Sequence, residues 1–230
     1  MIAIIGAMSV EVKGLIKLLQ NKEVTNISGV DYVQGQLFGK TVVIAKCGVG
    51  KVFAALCCQT MILKYQPEIV INTGVAGGLD SSLEINDMVI ADNLVQHDLD
   101  TSLLGDVVGT IIGLGRVNIP CSKKLIKAFK QAAENLGFPY RVGKIASGDQ
   151  FIGSVDKAQN IVKKFSAMAC EMEGAAIAQV CYVNKTDFIV IRSISDITDG
   201  KSHKNFIFTA EKAAKQAIGL LQEFIKNYEN

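Results

Sequence analysis

The chain has no tryptophan, three prolines, two histidines and, among its positive charges, three arginines: Arg116, Arg141 and Arg192. Each scarcity removes a class of function. Two histidines (His97 and His203) and six cysteines without a CxxC pair leave no zinc ligand set. The cysteines at 47, 57, 58, 121, 170 and 181 sit in apolar runs, as small core residues do, so a disulfide framework is not expected and a reducing, cytoplasmic setting is. Formal net charge is +2 and the lysines are scattered over helical stretches, so no basic stripe for nucleic acid or an anionic membrane surface forms. The longest run without a charge, residues 52–63, has 12 residues and is too short to span a bilayer. "MIAIIGAM" lacks a preceding basic region and meets Glu11 almost at once, so it does not read as a signal peptide.

What remains is 230 residues that are 49% hydrophobic and 20% charged, with no linker or repeat, which predicts one folded α/β domain over 1–230. Strand-length apolar runs fall at 2–5, 42–45, 69–71, 88–91, 144–146 and 188–191, with helical patterns between them. Val12, Leu15, Ile16 and Leu19 form one such helical stripe; Ile207, Ala210, Ala214, Ala217 and Leu221 form another. "GVDYVQGQLFGKTVVIAKC" alternates and carries turn glycines, as a hairpin would. The expected architecture is a three-layer α/β/α domain around a central mixed sheet, mostly parallel, with antiparallel pairing near 28–46.

Ligands of such sheets bind beyond the carboxyl ends of the strands. There this chain places "GAMSVE", "NTGVAGG", "SGDQFIGS" and "RSISD", each of which is also ordinary turn chemistry when taken alone. "CGVGKVFAA" follows a strand and opens a helix, but Ala45 and Val52 break the phosphate-loop pattern. Carboxylates stand in unusual company. Glu11 opens the first helix at the edge of its apolar stripe, where it is either a dipole partner or a site residue. Asp196 follows a buried strand and, if the strand persists, shares a face with Arg192 and Ile194. Glu171 and Glu173 flank Met172 within "ACEMEGAAIAQVC", either facing one way or capping the next helix. A carboxylate in such surroundings needs partners or a raised pKa.

Together "MIAIIGAMSVEV", "INTGVAGGL", "SGDQFIGS", "CEMEGAAIAQVC" and "VIRSISD" resemble, in matching order from residue 1 to about 225, the 5'-methylthioadenosine/S-adenosylhomocysteine nucleosidases of the nucleoside phosphorylase superfamily. The resemblance implies a nucleoside phosphorylase-like fold and hydrolysis of the N-glycosidic bond of adenine thioribosides, with no metal or cofactor, in a cytoplasmic homodimer. It gives Glu11 as the base for the attacking water and Asp196 as the acid at adenine N7, oriented by Ser195. It has Arg192 helping to hold the water. Glu173 would bind the ribose hydroxyls over Met172, with Glu171 ordering the pocket. Phe151 would stack on adenine, the Ile152 backbone would read its edge, and Ala76 and Gly77 would line the base pocket. Met8, Val49 and Phe206 would touch the sugar and its 5'-substituent. Thr101, Leu104 and Ile112 would reach the partner subunit's 5'-pocket.

The chain departs from the family pattern twice. Val75 replaces a frequent serine, and residues 97–117, "HDLDTSLLGDVVGTIIGLGRV", lack the stretch of type "DVTAFGYEYGQLPG". Three other readings stay open: a purine nucleoside phosphorylase, a nucleosidase for another adenine or hypoxanthine riboside such as futalosine, and a nucleoside-binding module without catalysis. The arginine-poor sequence speaks against the first, because phosphate needs a cluster of cationic donors. A retained base and acid speak against the third.

Overall fold

The computed structural model describes residues 1–197 and 206–228, without the side chains of 206–208; His203 and the Phe206 side chain therefore lie outside the described residues. The elements in order are β1 (Ile2–Gly6), α1 (Ser9–Leu18), β2 (Gln20–Ile27), β3 (Val30–Leu37), β4 (Lys40–Lys46), α2 (Lys51–Tyr65), β5 (Ile69–Gly78) and β6 (Met88–Gln96). Two short 3₁₀ turns precede β7 (Ile119–Pro120), α3 (Lys123–Leu136), β8 (Tyr140–Ser147) and α4 (Val155–Phe165). The chain then runs through β9 (Ala169–Glu171), α5 (Gly174–Asn184), β10 (Asp187–Ile197) and α6 (Phe206–Asn227).

The fold is the expected α/β/α sandwich around a mixed sheet. Strand order is β10-β6-β8-β9-β5-β1-β4-β3-β2, and β10 also pairs with β5, so five of the strands close into a ring. β1 lies parallel between β4 and β5. Its residues Ile2–Ile5 are fully withdrawn from water with Ile69–Ile71 and Ile189–Ile191, which is why these strands read as unbroken apolar runs. α1 packs on α6 and α6 on α3, while α2 packs on α5 across the sheet. A smaller apolar cluster joins Ala158, Ile161 and Phe165 of α4 to Val95, Ala146, Ile152 and Cys170.

Three features differ from expectation. The hairpin is β3–β4 as expected, but β2 adds a further antiparallel strand whose exposed polar sequence, QNKEVTNI, carries no apolar signal. Polar edge strands of this kind protect a sheet from pairing with other chains. "NTGVAGG" and "RSISD" are not turns: β5 and β10 run on through them, paired in parallel from Asp187↔Ile69 to Ile197↔Gly78. Finally, the register shifts between Ile194 and Asp196, so Asp196 stands opposite Gly77 and Ile194 opposite Ala76. That bulge takes Asp196 off the face it would otherwise share with Arg192 and Ile194.

Candidate active site

The carboxyl ends of β1, β5 and β10 and the β9–α5 junction open onto one cavity. It is lined by Met8, Glu11, Val49, Val75, Ala76, Gly77, Phe151, Ile152, Met172, Glu173, Ser195 and Asp196, all singled out in the sequence. Ala7, Gln150, Cys170 and Glu171 also line it. Ala7, Gln150 and Cys170 fell inside the flagged segments "GAMSVE", "SGDQFIGS" and "ACEMEGAAIAQVC" without being singled out there.

Glu11 lies in the first turn of α1 and is buried. Its Oε2 accepts the N–H of Ala7 at 2.7 Å and of Met8 at 2.8 Å, the reach-back of an acidic residue to a helix start. Its Oε1 accepts the Val75 N–H at 3.1 Å, so Val75 contributes through its backbone whatever its side chain. Gly74 makes this approach possible: a Cβ there would lie 2.5 Å from Glu11 Oε1. Burial raises the Glu11 pKa, and Arg192 and the three amide donors offset this only in part.

The two carboxylates around Met172 divide their tasks. Glu171 ends β9 and accepts the N–H groups of Glu173 at 3.0 Å and Gly174 at 2.8 Å, capping α5. It also receives a hydrogen bond from Ser147 Oγ, which in turn accepts the Ala175 N–H at 2.7 Å. Arg192 Nη2 closes an ion pair with Glu171 Oε2 and donates to Asn72 Oδ1 at 2.5 Å. Glu173 instead accepts the Gly50 N–H at 2.8 Å and lies 4.0 Å from Arg192 Nη2. Burial, then the Glu171 charge, raise its pKa against the pull of Arg192 and Gly50. Arg192 is fully buried; burial opposes its charge, but Glu171, Glu173 and Glu11 outweigh that and raise its pKa.

Across the cavity, Ser195 Oγ lies 2.8 Å from Asp196 Oδ1 and 3.3 Å from the Ala76 carbonyl oxygen. Phe151 and Val49 stand half-exposed at the mouth, and Ile152 is buried behind them.

Two sets of expected residues fall elsewhere. Arg192 does not line the cavity: its guanidinium sits behind Glu171 on Asn72, because on a buried β10 it must satisfy its charge internally. Thr101, Leu104 and Ile112 line no part of this chain's own cavity; Leu104 and Ile112 are 80% and 61% exposed. Among the described residues the lining carries four carboxylates, Glu11, Glu171, Glu173 and Asp196, and neither lysine nor arginine. Among the described residues no group of three His, Cys, Asp or Glu side chains is arranged to hold a metal ion, and no helix is long and apolar enough to cross a membrane.

Known proteins resemble this chain in sequence and fold. The family model described as Phosphorylase superfamily matches residues 1–226. The 5'-methylthioadenosine/S-adenosylhomocysteine nucleosidase of Psychromonas ingrahamii is 42% identical over 228 residues, which cover 98% of each chain. The crystal structure of the Neisseria meningitidis enzyme of the same name, in complex with methylthio-immucillin-A, superposes with a TM-score of 0.96 at 34% identity over 99% of each chain. The native futalosine hydrolase of Helicobacter pylori superposes with a TM-score of 0.95, also at 34% identity, over 99% of this chain and 97% of its own.

Proposed function

The chain belongs to the phosphorylase superfamily and, within it, to the 5'-methylthioadenosine/S-adenosylhomocysteine nucleosidase family, and on that premise we propose that it hydrolyses the N-glycosidic bond of 5'-substituted adenosines to adenine and the free thiosugar. Cleaving the C1'–N9 bond leaves positive charge on the ribose and pushes an electron pair into the purine. Asp196, held by Ser195, donates a proton to N7 and takes up that charge. Glu173 and Glu11 face the sugar, where carboxylates stabilise the cationic carbon. Water then adds to C1' and gives its proton to Glu11, whose raised pKa makes it a stronger base than an exposed glutamate. Met172 and Phe151 supply the apolar surfaces for sugar and base.

One observation carries the choice of water over phosphate. Among the described residues four carboxylates and no cationic side chain line the cavity, while Arg192 is committed to Glu171 and Asn72. A phosphate dianion there would meet repulsion without a clamp. Adenine release in phosphate-free buffer tests the reaction. The likeness to the futalosine hydrolase supports a second substrate class for the same chemistry, and the divergent residues 97–117 are where the two would part.

The same reading makes the working enzyme a homodimer with Thr101, Leu104 and Ile112 at the neighbouring site. Leu103, Leu104, Val107 and Ile112 are exposed together, and so are Val52, Phe53, Leu56 and Leu63 of α2. Apolar surface of this extent calls for cover, and a second copy supplies it.

A further inference from the structure

The glycine-rich stretch 47–51 leads into α2, and the site described above takes only Val49 and the Gly50 amide from it. Its last residue, two positions beyond Val49, makes a polar junction and with Gln96 and Asp149 lines a second pocket. Lys51 Nζ donates to Asp98 Oδ1 at 2.6 Å and to Gln96 Oε1 at 3.0 Å. The Lys51 and Asp98 side chains are only 18% and 15% exposed, so solvent screens this pair less than an ordinary surface bridge. The other Asp98 oxygen accepts the Asp149 N–H at 2.9 Å, and Asp149 Oδ1 accepts the Lys51 N–H at 2.8 Å. Burial works to raise the Asp98 pKa, but Lys51 and the Asp149 amide outweigh it and hold that carboxyl below its usual range.

Three separate segments meet in this ring of hydrogen bonds. One is the 47–51 turn that carries Val49. The second is the 148–152 loop that carries Gln150, Phe151 and Ile152. The third is the start of 97–117, the segment in which the chain departs from its family. The Gly148 backbone packs closely against two side chains of that third segment: a Cβ there would lie 2.4 Å from His97 Nε2 and 3.0 Å from Asp98 Cγ.

We propose that Lys51 is a positioning residue for nucleoside binding, clasping Asp98 and Asp149 so that the walls bearing Val49 and Phe151 and the root of the 97–117 segment are held as one unit. The substrate part of this inference rests on the nucleosidase reading; the clasp itself does not.

The test compares the full-length wild type with Lys51→Met, Lys51→Arg and Asp98→Asn. Two measurements are made: steady-state adenine release from 5'-methylthioadenosine, and amide hydrogen exchange without any substrate. Lys51→Met and Asp98→Asn should raise KM about tenfold, the scale of a lost charge-assisted bond, with kcat changed by about twofold at most. Lys51→Arg should recover most of the KM. Exchange at residues 97–100 and 148–151 should quicken in the first two variants. Unchanged KM in both variants overturns the proposal, and so does a kcat loss as large as the KM rise. If the wild type released no adenine, the nucleosidase reading would fall separately, and unchanged exchange in Lys51→Met would then overturn the clasp.

Discussion

The backbone N–H of Gly50 meets Glu173 Oε1 at 2.8 Å, joining residues 123 positions apart beside the cavity. This contact and Arg192 only partly relieve a carboxyl that burial and Glu171 push above its ordinary range. A carboxyl with a raised folded pKa adds stability that is full below its unfolded value and is lost as pH rises through the folded value. Glu173→Gln should therefore melt higher than the wild type at pH 8, with the difference shrinking towards the ordinary value of 4.5. The same variant should be impaired in kcat/KM. Calorimetry across pH decides this; at this chain length each kcal/mol shifts Tm by about 2–4 °C. A lower Tm at pH 8 would contradict the account.

On the proposed mechanism Asp196→Asn removes the proton donor and Glu11→Gln the base. Each should lower kcat about 100-fold or more while a nucleoside analogue still binds. Gly74→Ala should do similar harm without removing a titratable group, because its Cβ would fall 2.5 Å from Glu11 Oε1. Near wild-type turnover in Glu11→Gln or Asp196→Asn would refute that residue's role.

Arg192 is the ion-pair partner of Glu171. Replacing it by leucine leaves a buried carboxylate without its cation, which costs about 3–5 kcal/mol of folding stability in comparable pairs. Urea unfolding of Arg192→Leu showing a loss under about 1 kcal/mol would mean that the pair is not what holds this junction.

Most of the fold was legible because strands buried on both faces are written as continuous apolar runs, as in Ile2–Ile5. β2 was not, since an exposed edge strand has no apolar code. Nor was the passage of β5 through "TGVAGG", where pairing with β10 outweighs the turn-forming tendency of glycine. Twelve of the residues expected at the site do line one cavity. The division between Glu171 and Glu173 was left open by sequence, because spacing alone does not say where a strand ends and a helix begins. Arg192 was misplaced for a related reason: alternation put it on the Asp196 face, and the bulge at Ser195 separates the two.

The proposed dimer is tested at Ile112, which is 61% exposed in a single chain. Ile112→Glu should weaken self-association in sedimentation and raise KM for alkylthio substrates more than it lowers kcat. An active wild-type monomer, with KM unchanged in the variant, would remove the partner-pocket reading and leave the chemistry standing.

The central claim is that four carboxylates, with no cationic side chain among the described residues of the cavity wall, direct water to C1'. The direct measurement is product analysis with dialysed enzyme and chelator, using 5'-methylthioadenosine with and without phosphate. The account predicts adenine and free methylthioribose at the same rate in both buffers. Methylthioribose 1-phosphate appearing on addition of phosphate would contradict it.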